Sequence, residues 1–77
     1  MQIWIKLGTI EEVKEFVSIV TRFNGDVELK SGKYVIDAKS ILAIFSLDLS
    51  KKVLLCLENP KKEEIDALEK FVAKDCD

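Results

Sequence analysis

The apolar residues of this 77-residue chain repeat with two different periods, and the alternation between these periods limits the folds open to it. Near the N-terminus, Ile3, Ile5 and Leu7 occupy every second position, which indicates a strand with one buried face. From Ile10 onwards the spacing becomes three and four, which indicates an amphipathic helix. Such changes of period continue to the end of the chain, so the sequence predicts a domain that mixes strands and helices.

Turn and capping residues divide the chain into seven elements. Thr9 and Glu12 have the spacing of a capping box at the start of the first helix. Asn24-Gly25 is expected to end that helix in the left-handed conformation, and Asn59-Pro60 predicts a helix with proline at its first position. The predicted strands cover residues 1–7, 26–30, 33–37 and 52–58, and the predicted helices cover residues 10–22, 41–47 and 60 to about 73.

The order β-α-β-β-α-β-α predicts an α+β sandwich of two layers. A four-stranded antiparallel sheet carries three helices on one face and leaves its other face open to water. In the third strand, Tyr34 and Ile36 are expected to face the helices. The ferredoxin-like fold shares this element order but needs two long helices, whereas the middle helix here has only about seven residues. We therefore expect one open-faced domain over residues 1–77, with a frayed tail at 74–77.

Composition excludes several classes of function. The chain has no histidine, which removes imidazole bases, Ser-His and Cys-His nucleophile pairs, and His-ligated metals. Its 12 basic and 14 acidic residues give a net charge of -2, so the charge does not favour nucleic acid or an anionic membrane as a partner. The chain lacks both a membrane span and the pattern of a signal peptide. The expected location is the cytoplasm.

The two cysteines, Cys56 and Cys76, are not in a C-x-x-C pair and predict neither a zinc site nor a redox motif. Two reduced thiols in a cytosolic protein are expected, and a disulfide between them is the alternative. Since no nucleophile-base pair or metal cluster is visible, the sequence predicts a protein that is not an enzyme and holds no cofactor or metal.

The middle of the chain resembles a known family. Its most specific segment reads Ala-Lys-Ser-Ile-Leu at residues 38–42, followed by Ser-Leu at 46–47. Together with Arg-Phe-Asn-Gly-Asp-Val-Glu-Leu at 22–29, this segment is similar to HPr, the phosphocarrier protein of the bacterial sugar phosphotransferase system. The resemblance runs without gaps from about Thr9 to Leu47 and extends over nearly the whole chain. It implies the HPr open-faced sandwich, which the element order predicts independently.

The histidine that carries phosphate in this family is missing here. The resemblance puts it at the cap of the first helix, followed by Ala-Arg-Pro, where this chain has Thr9, Ile10, Glu11 and Glu12. An alkyl hydroxyl lacks the lone pair of imidazole, and the two carboxylates repel an incoming phosphoryl group. The resemblance thus implies a degenerate phosphocarrier site at Thr9, Glu11 and Glu12 that is incapable of histidine phosphoryl transfer.

The second site of the family is a serine at the cap of the short helix, and Ser40 matches it. In the family a dedicated HPr kinase phosphorylates this serine, and the variant Crh lacks the histidine but keeps the serine. The chain resembles Crh in that respect, although the Arg-Pro that Crh retains is missing here. The resemblance implies regulatory phosphorylation of Ser40, and the alternative is that Ser40 only caps its helix.

The short helix carries a candidate partner-binding surface at Ile41, Leu42 and Phe45. In the family, exposed apolar residues of this helix contact partner proteins. Leu42 and Phe45 lie three positions apart and share a face, whereas Ile41 and Ile44 are directed to the core. The alternative is that Leu42 or Phe45 seals the edge of the domain.

The open face of the sheet carries a candidate surface for a weak homodimer. Trp4, Leu54 and Cys56 are expected to point away from the helices, and the family places the first and last strands side by side. These residues would then form one apolar patch. The alternative is scattered surface apolarity. The sequence as a whole predicts an HPr-like interaction and regulatory module, or else a structural or oligomerisation domain that retains only the fold.

Overall fold

The computed structural model describes residues 1–73, so the predictions for the tail at 74–77 and for Cys76 lie outside the described residues. The strands are β1 (Gln2–Ile5), β2 (Val27–Ser31), β3 (Tyr34–Asp37) and β4 (Val53–Leu57). The helices are α1 (Ile10–Val20), α2 (Ile41–Phe45) and α3 (Lys62–Ala67), and a 3-10 turn follows at Glu69–Phe71.

The four strands form one antiparallel sheet in the order β1-β4-β2-β3. β1 and β4 are neighbours, as the resemblance to HPr implies. On the other side of β1, Ile5 forms a bridge with Val72, so the end of the described chain returns to this edge of the sheet. The predicted open-faced α+β sandwich is confirmed.

Strand alternation decides which face of the sheet is buried. Ile5, Leu29 and Leu55 are fully buried on the face that the helices cover, and their neighbour Trp4 is exposed on the opposite face. Burying apolar area of this kind contributes about 25 cal/mol per Å² and is the main stabilising term in so small a domain. The core consists of Ile5, Leu7, Val13, Phe16, Val20, Phe23, Val27, Leu29, Ala38, Ile44, Val53, Leu55, Leu57, Leu68 and Phe71.

The predicted end of the first helix was wrong. α1 ends at Val20, and its C-cap Thr21 keeps right-handed backbone angles of φ -65° and ψ -18°. Among the described residues only Gly32 and Asn59 have a positive φ, so Gly25 does not end the helix in the left-handed conformation. Gly25 instead allows close packing, because a Cβ at this position would lie 3.0 Å from the carbonyl oxygen of Glu58.

The predicted last helix was also wrong at both ends. Asn59 adopts a left-handed φ of 47°, and Pro60 precedes the helix instead of occupying its first turn. The N-cap is Lys61, whose backbone N–H donates to Oε1 of Glu64 at 3.0 Å. The helical segment changes to a 3-10 turn after Leu68, where Phe71 packs edge-to-face against Phe16 with ring centroids 5.7 Å apart.

Two residues that the pattern assigned to the buried face are exposed. Tyr34 is 70% exposed, because it stands at the hairpin end of an edge strand, where the helices do not cover it. Ile10 is 58% exposed in the first turn of α1. Ile36, the strand neighbour predicted to share the inner face with Tyr34, packs against the core as expected.

Candidate functional site

The N-terminus of α1 is closed by a capping box. Thr9 has extended angles of φ -135° and ψ 162°, and its Oγ1 accepts the backbone N–H of Glu12 at 3.1 Å. In return, Oε1 of Glu12 accepts the backbone N–H of Gly8 at 2.8 Å, one residue before the amide expected from the sequence. The structure therefore brings Thr9 and Glu12 together and leaves Glu11 exposed beside them.

This arrangement already neutralises the positive end of α1. The free amides and the dipole at a helix N-terminus make it a natural site for an anion. Here the carboxylate of Glu12 lies beside that position, bound to the backbone N–H of Gly8 just before the cap, and Glu11 adds a second acidic group in the first turn. An incoming phosphoryl group would meet both negative charges, and no imidazole is present to accept it. The groups at the N-terminus of α1 therefore stabilise the helix and do not suit the binding of a phosphoryl group.

The N-terminus of α2 is more open. Ser40 has extended angles of φ -99° and ψ 106°, and its Oγ accepts the backbone N–H of Ala43 at 3.4 Å. The first turn of α2 contains no acidic residue, so no carboxylate of that turn faces the dipole. The hydroxyl of Ser40 is held by one long hydrogen bond on a half-buried residue.

Lys39 ties the start of α2 to the end of α1. Its Nζ donates to the carbonyl oxygen of Phe23 at 2.8 Å, and its backbone N–H donates to Oδ1 of Asp37 at 2.9 Å. The backbone N–H of Ser40 donates to the carbonyl oxygen of Asp37 at 3.0 Å. The cation that precedes Ser40 is thus already engaged with the backbone.

One side of α2 is apolar and uncovered. Leu42 is 80% exposed and Phe45 is 42% exposed, whereas Ile44 is fully buried. We call Leu42 and Phe45 the α2 surface. Ile41, predicted to belong to the same partner-binding set, is half-buried and packs partly against the core, so it adds only an edge to this surface.

The open face of the sheet contains the three residues predicted as a dimer patch. Trp4 stands opposite Leu54, and Cys56 stands opposite Gln2 in the adjacent row of the same two strands. Trp4 is 49% exposed, and Nζ of Lys52 lies 5.2 Å from the centroid of its ring. Cys56 and Leu54 are half-buried.

A wide groove at the hairpin end of the sheet was not predicted from the sequence. It has a volume of about 1380 Å³ and opens beside Trp4. Two acidic residues, Glu12 and Asp48, line it, against six lysines: Lys6, Lys30, Lys33, Lys51, Lys52 and Lys70. These lysines come from four separate parts of the chain, so their proximity is visible only in the folded structure.

The part of the chain that the structure describes contains no group of three or more potential metal-ligating side chains. Within the same residues, 1–73, no helix is both long and apolar enough to cross a membrane.

A four-stranded sheet with helices on one face, and with capped helices at the two positions described above, defines an HPr-type open-faced sandwich. A sequence profile of the PTS-HPr family, described as the PTS HPr component phosphorylation site, matches residues 11–74. The chain belongs to this family. Among solved structures, HPr-C-His from Thermoanaerobacter tengcongensis superposes with a TM-score of 0.73 and 28% identity, covering 94% of this chain and 88% of that chain. No curated protein matches the chain.

Membership confirms the resemblance on which the site residues were chosen. Proteins of this family are phosphocarriers and not catalytic enzymes, and they interact with other proteins of the phosphotransferase system. The profile match starts at Glu11, so Thr9 lies outside it and Ser40 lies inside it.

Proposed function

We propose that this chain is a non-enzymatic, cytoplasmic interaction module of the HPr family that has lost histidine phosphoryl transfer. It binds a partner protein through the α2 surface, and an HPr kinase switches it by phosphorylating Ser40. The observation that carries this proposal is the contrast between the two capped helices. The first turn of α1 contains two carboxylates, Glu11 and Glu12, whereas the first turn of α2 contains none and keeps a serine cap beside exposed apolar side chains.

A phosphate on Ser40 suits the local electrostatics of α2. It adds roughly -1.5 to -2 charges at pH 7, and a helix N-terminus stabilises an anion by about 0.3–1 kcal/mol. Lys39 is adjacent and can exchange its bond to the Phe23 carbonyl for one to the phosphate. Leu42 follows two residues later, so the new charge stands beside the apolar docking surface. A charge in that position changes partner choice without changing the fold.

A second candidate function is a structural or oligomerisation domain that keeps the HPr fold alone. Two observations favour it. Oγ of Ser40 already has a structural task as the cap of α2, and Trp4 is half exposed on the open face, away from α2. In this case Ser40 receives no phosphate and the α2 surface binds no partner.

Phosphate transfer distinguishes this chain from a working phosphocarrier. Incubation with the upstream phosphotransferase enzyme and labelled phosphoenolpyruvate should leave it unlabelled, because it has no imidazole and Glu11 and Glu12 surround the α1 cap. An HPr that carries the histidine serves as the positive control. Stoichiometric, acid-labile label on this chain would contradict the loss of phosphocarrier function.

The switch is tested at Ser40 itself. HPr kinase and ATP should label wild type but not Ser40→Ala, and Ser40→Asp should melt within a few degrees of wild type.

In pull-downs from native lysate, Leu42→Ser should lose the partner and Ser40→Asp should change the amount captured. Val35→Ser, which alters an apolar residue that is 54% exposed on β3, is the matched control and should leave capture unchanged. Absence of kinase labelling, with identical capture by wild type and Ser40→Asp, would leave Ser40 only a cap.

A further inference from the structure

The register of the sheet sorts the side chains of its open face into rows that run across the strands. The middle row consists of Trp4, Leu54, Lys30 and Val35. The row beside it consists of Gln2, Cys56, Glu28 and Asp37. Trp4 and Val35, at the two ends of this row, are 49% and 54% exposed, and Leu54 and Lys30 lie between them. The middle of the face is therefore largely apolar.

Opposite charges gather at the two ends of this face. At one end, Glu28 and Asp37 share a row, and strand alternation puts two further acidic residues, Asp26 and Glu58, beyond it. At the other end are Lys6, Lys52 and Lys33, which belong to the lysine-lined groove. The face thus has an acidic end, an apolar middle and a basic end along the strand direction.

The two charged ends are far enough apart to act separately. Gln2 and Lys6 mark the two ends on β1, and at about 3.3 Å per residue they are roughly 13 Å apart. The Debye length at physiological ionic strength is about 8 Å. Each end therefore presents its own sign of charge to an approaching surface, although the net charge of the chain is only -2.

From this pattern we infer that the open face binds the open face of a second copy of this chain, with the strands of the two copies running in opposite directions. The two-fold axis lies in the interface, perpendicular to the strands and along the middle row. Rotation about this axis places the basic end of each copy over the acidic end of the other. An axis along the strands would place lysines over lysines, so the charges select a single orientation.

The middle row supplies the apolar centre of this interface. On the two-fold axis Trp4 approaches its counterpart in the second copy at the β1 edge of the interface, where the two aromatic side chains contribute a large apolar area. Lys30 lies in the same row and therefore opposite its own counterpart, but it is half-buried, so we expect its alkyl stem to add apolar surface and its ammonium group to turn away from the axis towards the acidic row of the second copy.

The size of the face predicts a weak, reversible dimer. Four strands about 4.8 Å apart and five residues of about 3.3 Å give a projected area of roughly 300 Å². A standard interface buries about 800 Å² on each partner. Association should therefore occur in the micromolar to millimolar range and depend on charge.

This inference is independent of the proposed function. α2 packs on the covered face of the sheet, so the α2 surface and the open face can be occupied at the same time. Loss of the dimer would leave the Ser40 experiment unaffected, and loss of the Ser40 switch would leave the dimer unaffected.

Sedimentation equilibrium on the purified chain at low and high salt is the first test. We expect a monomer-dimer equilibrium at low salt that shifts to monomer at about 1 M salt, where the Debye length falls to about 3 Å. The fluorescence of Trp4, the single tryptophan, should shift to the blue as the dimer forms. A strict monomer up to millimolar concentration at low salt, or a dimer unaffected by salt, would overturn the inference.

A charge swap tests the orientation. In the antiparallel dimer Lys33 lies over Asp37 of the second copy and one strand away from Glu28 in the same acidic row, and neither Lys33 nor Glu28 forms an ion pair within residues 1–73. Lys33→Glu and Glu28→Lys should each raise the dimer Kd at least about tenfold, or about 1.4 kcal/mol. The double variant should return the Kd close to that of wild type. Lys14→Glu, exposed on α1, changes the net charge as Lys33→Glu does and should not change the Kd. Failure of the double variant to recover would rule out the antiparallel arrangement.

Discussion

The starts of α1 and α2 use the same device, a hydroxyl residue at the N-cap, but they differ in what surrounds it. At α1, Thr9 accepts one amide of the helix, that of Glu12, at 3.1 Å, and the carboxylate of Glu12 accepts the amide of Gly8 before the cap at 2.8 Å. At α2, Ser40 satisfies one amide at 3.4 Å and has no carboxylate in the turn that follows. A carboxylate within the first turn lies against the positive end of a helix and stabilises it, whereas the nearest carboxylate at α2, that of Asp37, precedes the cap and leaves the first turn open to an added anion.

The two helices also differ in how firmly the core holds them. α1 has eleven residues and buries Val13, Phe16 and Val20. α2 has five residues and buries only Ile44. A helix as short as α2 has little stability of its own, so its packing determines whether it persists. Leu42 and Phe45 are exposed on the side of α2 that does not pack on the core, and the proposed docking surface lies there.

The largest effect should come from removing the anchor of α2. Ile44→Ala should lower the free energy of unfolding by about 2–5 kcal/mol, because Ile44 is fully buried and its removal leaves a cavity. Leu42→Ala should change it by less than about 0.5 kcal/mol, since Leu42 is 80% exposed. Urea unfolding followed by circular dichroism measures both.

If Ile44→Ala fails to fold, Ile44→Val offers a milder version, with an expected cost of about 0.5–1.5 kcal/mol. A cost above 1 kcal/mol for Leu42→Ala would show that Leu42 packs against the domain in solution. The α2 surface would then pack against the edge of the domain instead of binding a partner, which is the alternative interpretation given for Leu42 and Phe45 in the sequence analysis.

The order of elements was predictable from the sequence because the hydrophobic period depends only on which face of each element is buried. The ends of the elements were less predictable. Gly25 was expected in a turn of left-handed backbone, but its role depends on contact with Glu58, 33 positions away in the chain. Tyr34 lies on the same face of β3 as Ile36, which alternation assigns to the buried side, yet burial also depends on how far the helices extend over β3.

The candidate site was also predictable only in part, in its local features and not in the contacts between elements. Both N-caps were predicted because a cap is a local pattern within four residues. The hydrogen bond of Lys39 to the carbonyl of Phe23 was not, because it joins two elements. The charged rows of the open face required the register of all four strands, which a single sequence does not specify when the partner strand is distant.

The second prediction compares the two caps directly. Thr9→Ala should lower the free energy of unfolding by about 1 kcal/mol, within the range of about 0.5–2 kcal/mol for lost caps. Ser40→Ala should cost less than about 0.5 kcal/mol, because its bond to Ala43 is long and has no reciprocal partner. Urea unfolding at constant pH and salt gives both values.

Thr9→Ser is the control for the first of these variants, because it retains the hydroxyl and should retain the stability. An equal loss from Thr9→Ala and Ser40→Ala, or a larger loss at Ser40, would mean that the α2 cap is as structural as the α1 cap. The contrast that supports the switch at Ser40 would then disappear.

The loop after α2 offers a third hydroxyl-carboxylate pair, and it provides the smallest and most pH-sensitive effect. The hydroxyl of Ser50 donates to Oδ1 of Asp48 at 2.5 Å, and the backbone N–H of Ser50 donates to the same atom at 3.1 Å. These bonds, with the nearby charge of Lys51, hold the pKa of Asp48 below its usual value of 3.8. Unlike the pair at α1, this one holds a loop and not a helix.

A depressed pKa makes the folded state bind this proton less readily than the unfolded state does. The stabilisation is therefore fully present above the usual pKa of Asp48 and disappears as the pH falls through the lowered pKa of the folded state. Ser50→Ala should destabilise the domain slightly at pH 7. When urea unfolding is repeated at a series of pH values, the difference in unfolding free energy from wild type should vanish at the most acidic ones. Ser18→Ala, an exposed serine of α1, is the control and should show no such pH dependence. A difference between wild type and Ser50→Ala that persists or grows at the lowest pH would mean that the Ser50 hydroxyl stabilises the loop through some contact other than the ionised carboxylate of Asp48.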